Sequence, residues 1–426
     1  MRLPPPSSAV LGALARTRPA SEGTALLRSA LRARRLVLLK SLLVRARRDR
    51  DAVDPTVLRR FETSWHLLEQ TERRHPGVVR DLLDYPTTGV WLAVALAGPT
   101  GPAFDRHLDR LEVLAVTGAL RAGRPLDLAV EAPDGLLSLP GVGRLRLPSA
   151  GPVRIRARSR VVRLHAEGGS PAAPTVLLLT DRRAGTLVGR GPAWTGLPLL
   201  PGSTARLDDL DPYRVPPGGF GDPLRRAADH TDTDRPGWVA HWRDAHELLA
   251  RTDSDRAAET RRAVRLLVPL TPNGPRSVGA TLSAAPGAVL SSPAAGGPDL
   301  AETLVHEIHH GKLATLHEAV PLYRPGRAAL HRVGWRPDPR PVAGVFQGAY
   351  AHLALADLWR RTATATQVPA PWRTHAGQQF DDIHDQVGEA LAILLESDEL
   401  TNEGREFARQ MAGHHASLGA APRASG

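Results

Sequence analysis

His306, Glu307 and His310 form the pattern His-Glu-x-x-His, a spacing that binds metal ions when it lies on a helix. At about 100° per residue, side chains four apart lie within roughly 40° of each other on one helix face. Two imidazoles one turn apart can therefore reach one ion, with positions left open for chemistry. The spacing predicts a metal centre with His306 and His310 as ligands.

The third ligand determines which chemistry is expected. Leu313 and Leu316 stand where a glycine and a histidine would extend the motif, and His317 comes one place too late. The next predicted helix, 342–361, contains no glutamate, and its ligand-type residue is His352. We therefore predict His306, His310 and His352 as the metal ligands. Glu307 has two possible roles: general base on metal-bound water in a peptidase, or an extra or supporting carboxylate in an oxygenase.

The motif helix must be held by its neighbours. Asp299 with Glu302 three positions later predicts a capping box at its start, and Pro321 limits its end. Strand-like runs at 264–270 and 287–292 precede it. His309 and Lys312 point away from the metal face, which predicts packing or capping roles.

Periodicity divides the chain into three regions. Residues 1–115 carry apolar residues at helical spacing, 116–230 are rich in short β-type runs, and 231–426 contain the motif. We predict an α+β fold, mainly helical, with a zincin-like catalytic region after a β-rich middle region.

Composition excludes several classes of protein. The 426 residues include no cysteine, so a metal must be held by imidazole and carboxylate, as Zn and Fe(II) are. No uninterrupted apolar run is long enough for a membrane span, and no signal-peptide pattern is present, so we expect a cytoplasmic protein. The net charge of +11 lacks a basic stripe interleaved with aromatics, which favours an acidic peptide over nucleic acid as partner. The oligomeric state is not predicted.

The stretch 304–361 resembles the HExxH-domain proteins of bacterial gene clusters for ribosomally made, modified peptides. The resemblance lies in four segments in order: LVHEIHHGKLATL, PLY, WRPDPRPVAG and QGAYAHLALADLWRR. Weaker similarity reaches 36–40 and 85–91 in the helical region. His309 and Gly311 depart from the family pattern.

This resemblance implies an iron(II)- and 2-oxoglutarate-dependent β-hydroxylase of a precursor peptide. Fe(II) would be held by His306, His310 and His352. The co-substrates would be O₂ and 2-oxoglutarate, whose distal carboxylate needs a cation. Arg336 and Arg340, in the loop before the second helix, are the expected partners. Zinc is a plausible metal in the purified protein, because it competes well for such ligands.

Two other functions stay open. A zinc metallopeptidase would use Glu307 as general base, and a non-catalytic module would bind leader peptides through the β-rich middle region. Tyr350 and Asp357 are expected to orient a ligand imidazole or to pack between helices. His317 is expected to line the substrate groove.

Overall fold

The computed structural model describes residues 6–167, 175–272, 274, 277–324 and 329–419. Helices account for 55% and strands for 18% of these residues, in several small sheets, so the expectation of an α+β fold is confirmed. No helix within the described ranges is long and apolar enough to cross a membrane.

The chain begins with helices, as its apolar spacing predicts. Asp54 caps the third of them, with Pro55 at its first position, and its carboxylate accepts from the backbone N–H groups of Thr56 and Val57. These helices are α1 (Ser8–Ala15), α2 (Ser21–Arg48), α3 (Pro55–Arg74), α4 (Pro76–Leu83), α5 (Pro86–Ala97) and α6 (Pro102–Arg121).

Strands follow, and alternating burial shows that they cover a core. In β4 the side chains of Val153, Ile155 and Ala157 are buried while the arginines between them point outward. The strands are β1 (Leu126–Ala132), β2 (Leu136–Leu139), β3 (Gly143–Arg146), β4 (Gly151–Arg158), β5 (Val161–Ala166), β6 (Thr175–Asp181), β7 (Thr186–Arg190), β8 (Trp194–Gly196) and β9 (Arg206–Leu207). They form an antiparallel sheet of order β1-β4-β5-β6-β7 and a smaller sheet of order β2-β3-β8. One hydrophobic cluster joins the inner faces of both sheets to α6.

The rest of the chain returns to helices around a third sheet. Its elements are α7 (Arg235–Thr252), α8 (Ser254–Ala263), β10 (Leu266–Pro269), β11 (Gly279–Ala280), β12 (Ala288–Ser291), α9 (Gly297–Ala319), β13 (Leu330–Val333), β14 (Arg336–Pro341), α10 (Val342–Thr364), α11 (Ala370–Glu396) and α12 (Asn402–Gly419). The sheet order is β11-β12-β10-β9, with β9, β10 and β12 parallel and β11 antiparallel at one edge. The strand-like runs predicted before the motif helix are therefore confirmed as β10 and β12.

The motif helix α9 packs against both α7 and α10. Leu300, Leu304 and Ile308 bury its packing face in a core that also receives Leu14 of α1. The predicted capping box is wrong: α9 begins at Gly297, and its N-cap residue Gly296 has no side chain to cap with. Asp299 instead lies in the first turn, where its carboxylate accepts from Ser277 and from the backbone N–H of Ala295.

A short hairpin precedes α10 where the sequence predicts a loop. Strands β13 and β14 pair antiparallel, with Leu330 opposite Pro341 and Val333 opposite Arg336. Both arginines of the expected 2-oxoglutarate site lie on β14, so their placement in a loop is wrong. The three prolines at 337, 339 and 341 disfavour a strand, but an edge strand paired on one side tolerates them.

Candidate metal centre

Helices α9 and α10 bring three imidazoles into contact. The Nε2 atoms of His306 and His310 lie 3.0 Å apart. The ring centroid of His306 lies 4.6 Å from that of His310 and 4.8 Å from that of His352, with both pairs edge to face. The three residues that the sequence predicts as ligands therefore share one site.

Hydrogen bonds fix the orientation of two of these rings. Nδ1 of His352 lies 2.8 Å from the Gly348 carbonyl, and Nδ1 of His310 lies 3.2 Å from the amide oxygen of Gln347. Because both partners only accept, each Nδ1 carries the proton and each Nε2 keeps a lone pair. This arrangement is the usual one for metal-binding histidines, whose outer nitrogen is held by a fixed acceptor.

Trp335, between β13 and β14, also holds the ring of His352. The two rings stack with centroids 4.4 Å apart and planes inclined by 18°. The close approach needs a glycine at position 348, since a Cβ there would lie 2.6 Å from the indole ring. Sequence reasoning missed Trp335 and Gln347 as site residues, although both lie inside the segments that carry the family resemblance.

Burial keeps the three imidazoles neutral. It lowers the pKa of His306 well below its usual value and that of His352 to about 4, and it lowers the pKa of His310 as well. A neutral imidazole is the form that donates a lone pair to a metal ion.

The donor set fits a borderline divalent ion. Two ligand nitrogens at about 2.1 Å from an ion and at 90° to each other lie about 3.0 Å apart, close to the separation found here. As placed, His306 donates from Nε2 to Nε2 of His310, and no group of three or more His, Asp or Glu side chains in the described ranges has the geometry of a formed metal site. Binding an ion requires the Nε2 proton of His306 to leave and the rings to turn toward one point.

A cavity of about 600 Å³ opens over the three histidines. Arg336 and Arg340 of β14 line it, as does Glu307. Both guanidinium groups bind one carboxylate, that of Asp338, at 3.0 Å and 2.8 Å. The structure thus brings the two predicted cations to the same cavity as the histidines. Both arginines are already paired with the carboxylate of Asp338.

Glu307 is buried beside the edge strand β11, with 5% of its surface exposed. Burial raises the pKa of its carboxyl to about 7, and the Thr281 hydroxyl nearby donates to the backbone carbonyl of Glu307. Gly279 of β11 allows the contact, since a Cβ there would lie 2.6 Å from Oε1 of Glu307. Glu302, one turn before His306, also lines the cavity, and burial together with Asp299 raises its pKa to about 7.

The opposite side of α9 carries a buried ionic network rather than the site. Arg256 of α8 binds Glu259 at 2.7 Å and Asp357 of α10 at 3.1 Å, and lies 3.1 Å from Nε2 of His309. Lys312 binds Glu259 at 2.6 Å, which confirms that it points away from the metal face. The network connects α8, α9 and α10 behind the histidines.

Of the two roles that the sequence left open for Tyr350 and Asp357, the structure has packing between helices: Asp357 binds arginines, and the hydroxyl of Tyr350 donates to the Leu14 carbonyl at 2.8 Å. The expectation for His317 is wrong. His317 does not line the cavity: its ring stacks on Tyr323, and its Nδ1 accepts from the backbone N–H of Leu322. The contacts of Asp357 and Tyr350 depend on residues distant in sequence, and those of His317 on the turn after α9, none of which helical spacing alone reveals.

In comparisons with known proteins, no family model and no curated protein matches this chain. The site itself combines three neutral imidazoles, a carboxyl with a raised pKa and two arginines around one cavity. Once the rings turn toward one point, such an arrangement could hold a divalent ion, bind an anion near it and move a proton at Glu307.

Proposed function

We propose that this protein is an iron(II)- and 2-oxoglutarate-dependent hydroxylase acting on a peptide. The observation that carries the proposal is the third imidazole: α10 presents His352 to His306 and His310 and contains no glutamate. Two arginines in the same cavity add a place for a dicarboxylate co-substrate. The family resemblance gives the peptide substrate and the position of hydroxylation, Cβ, and the zincin-like character of the catalytic region belongs to the same proposal.

The chain's own residues then have distinct tasks. His306, His310 and His352 hold the ion, which when bound supplies the redox chemistry for O₂ activation. Arg336 and Arg340 bind the distal carboxylate of 2-oxoglutarate in place of Asp338, because a guanidinium fork matches a carboxylate. The cavity leaves room for the substrate residue beside the histidines.

A second function is favoured by Glu307. A buried carboxyl with a pKa of about 7 beside a metal site suits a general base that takes a proton from water. A zinc peptidase would use it in this way. In that case the arginines of β14 would bind the substrate peptide instead of a co-substrate.

The test is anaerobic loading with Fe(II) followed by 2-oxoglutarate, observed by optical spectroscopy. We expect a weak visible charge-transfer band that needs both additions, and succinate once O₂ is admitted. His352→Ala should abolish the band, whereas His66→Ala, an exposed histidine on α3, should leave it intact. The double variant R336A/R340A should raise the 2-oxoglutarate concentration that gives half of the signal.

Two results would overturn the hydroxylase proposal. One is the absence of both band and succinate in protein shown to contain iron. The other is peptide cleavage by the zinc form that needs no O₂ and is lost in Glu307→Gln, which would establish the peptidase.

A further inference from the structure

The outer face of the five-stranded sheet carries an exposed apolar row beside arginines. Strand pairing places Val161 opposite Leu178 and Leu178 opposite Val188, so three aliphatic side chains cross β5, β6 and β7 in line. Leu178 is 45% exposed and Val188 is 47% exposed, while Val161 is half-buried. Large aliphatic side chains in adjacent exposed positions are typical of interaction surfaces.

The arginines of this face are crowded and mostly without acidic partners. Arg156 and Arg163 are direct cross-strand partners, an arrangement in which like charges destabilise a sheet. Arg156 lies 3.4 Å from Asp127, but Arg158 and Arg163 form no ion pair with any residue in the described ranges. Arg190, two residues after Val188 on β7, also forms no ion pair with any residue in the described ranges. An anionic partner would relieve this repulsion.

We propose that this face binds an acidic amphipathic helix, with its apolar residues on the row Val161–Leu178–Val188 and its carboxylates over the arginines. Neighbouring strands lie about 4.8 Å apart, close to the roughly 5–6 Å between side chains i and i+4 of a helix, so a helix lying across the strands matches the row. Arg156, Arg163 and Arg190 lie two residues along the strands from this apolar row, about 7 Å away. Glutamate side chains on the flank of the helix can reach that distance.

The composition of the face favours a peptide over other anions. The outward positions of β1 and β4–β7 in the described ranges carry no Phe, Tyr or Trp on which bases could stack. The apolar row contributes to binding a peptide but contributes nothing to binding phosphates. This docking surface is independent of the metal chemistry, and goes beyond the proposed function by assigning a binding role to the sheet.

Fluorescence anisotropy with the full-length protein tests the proposal. The probe is a labelled helical peptide of repeated Glu and Leu with an apolar stripe, compared with its Lys-for-Glu counterpart. R158E/R163E should weaken binding of the acidic peptide about tenfold or more, since each reversal replaces an attraction by a repulsion. L178T/V188T should also weaken it, because it removes exposed aliphatic surface. R59E/R73E is the control, because it makes the same change of net charge at exposed positions of α3. It should bind the acidic peptide as the wild-type protein does.

Circular dichroism and thermal unfolding of each variant verify that it folds. R163E is expected to fold well, because it places a carboxylate opposite Arg156. The proposal is overturned if R59E/R73E weakens binding as much as R158E/R163E. It is overturned equally if L178T/V188T has no effect while a single-stranded oligonucleotide or phosphatidylserine vesicles bind in a manner that R158E/R163E abolishes.

Discussion

Replacing Asp357 by asparagine removes one negative charge from the ionic network behind α9. The carboxylate is 1% exposed and accepts from Arg256 at 3.1 Å, Arg18 at 2.8 Å and Arg361 at 3.0 Å. Burial alone would raise the pKa of Asp357, but Arg256 and Arg18 outweigh it and hold the pKa at about 2. The carboxylate is therefore charged at neutral pH. Asparagine removes one anion from three arginines, each of which keeps Glu259 or Asp253 as a second partner.

Removing one partner of a buried ion pair costs about 3–5 kcal/mol when the other is left without a counter-charge. Arg256, whose side chain is only 1% exposed, keeps Glu259 at 2.7 Å, so D357N should cost less, about 1.5–3 kcal/mol, as expected for the loss of hydrogen bonds to a charged group. Asp109→Asn is a matched control, since Asp109 is 33% exposed and binds one arginine, Arg60, at 2.7 Å. That control should cost under about 1 kcal/mol.

Urea unfolding followed by tryptophan fluorescence gives the free energy of unfolding of both variants. Because Asp357 and His352 lie on the same helix, D357N should also weaken Co(II) binding to the folded protein, through the position of α10 and not through a contact with the imidazole. If D357N unfolded with the same free energy as D109N, the network would not stabilise the fold as argued. If only the Co(II) affinity were unchanged, the network would stabilise the helices without positioning His352.

Three further predictions concern the same region. The folded pKa of Asp357, about 2, lies below its ordinary 3.8, so its stabilising contribution is present above about pH 4 and is lost as the pH falls through about 2. The difference in unfolding free energy between wild type and D357N should shrink as the pH falls from about 4 to about 2. A constant difference would contradict the low pKa of Asp357. Gly279→Ala would place a Cβ 2.6 Å from Oε1 of Glu307, and should lower kcat while the metal content stays unchanged. Trp335→Ala removes the ring stacked on His352 and should weaken Co(II) binding about tenfold in a competition titration; equal affinity would exclude a supporting role.

Sequence patterns located the elements that have strong periodicity. The short β-type runs of 116–230 predicted strands there, and one of them is β4, in which Val153 and Ile155 are buried between outward-facing arginines. The helical spacing of the motif predicted that His306 and His310 share a face, because the geometry of a helix is local. The hairpin β13–β14 was not predicted, since its prolines argue against a strand and its pairing is a tertiary contact.

By itself, the sequence determined the residues of the candidate metal centre, because a histidine pair on one helix and one histidine on the next are readable from type and spacing. The tertiary structure decided what surrounds them. Only folding places Trp335 on His352 and Gln347 beside His310. It also buries Asp357 beside Arg18 and Arg256 from two other segments, which makes Asp357 part of the support behind the metal ligands. The physical reason is that helical periodicity fixes which side a residue faces, whereas packing between distant segments fixes what it meets there.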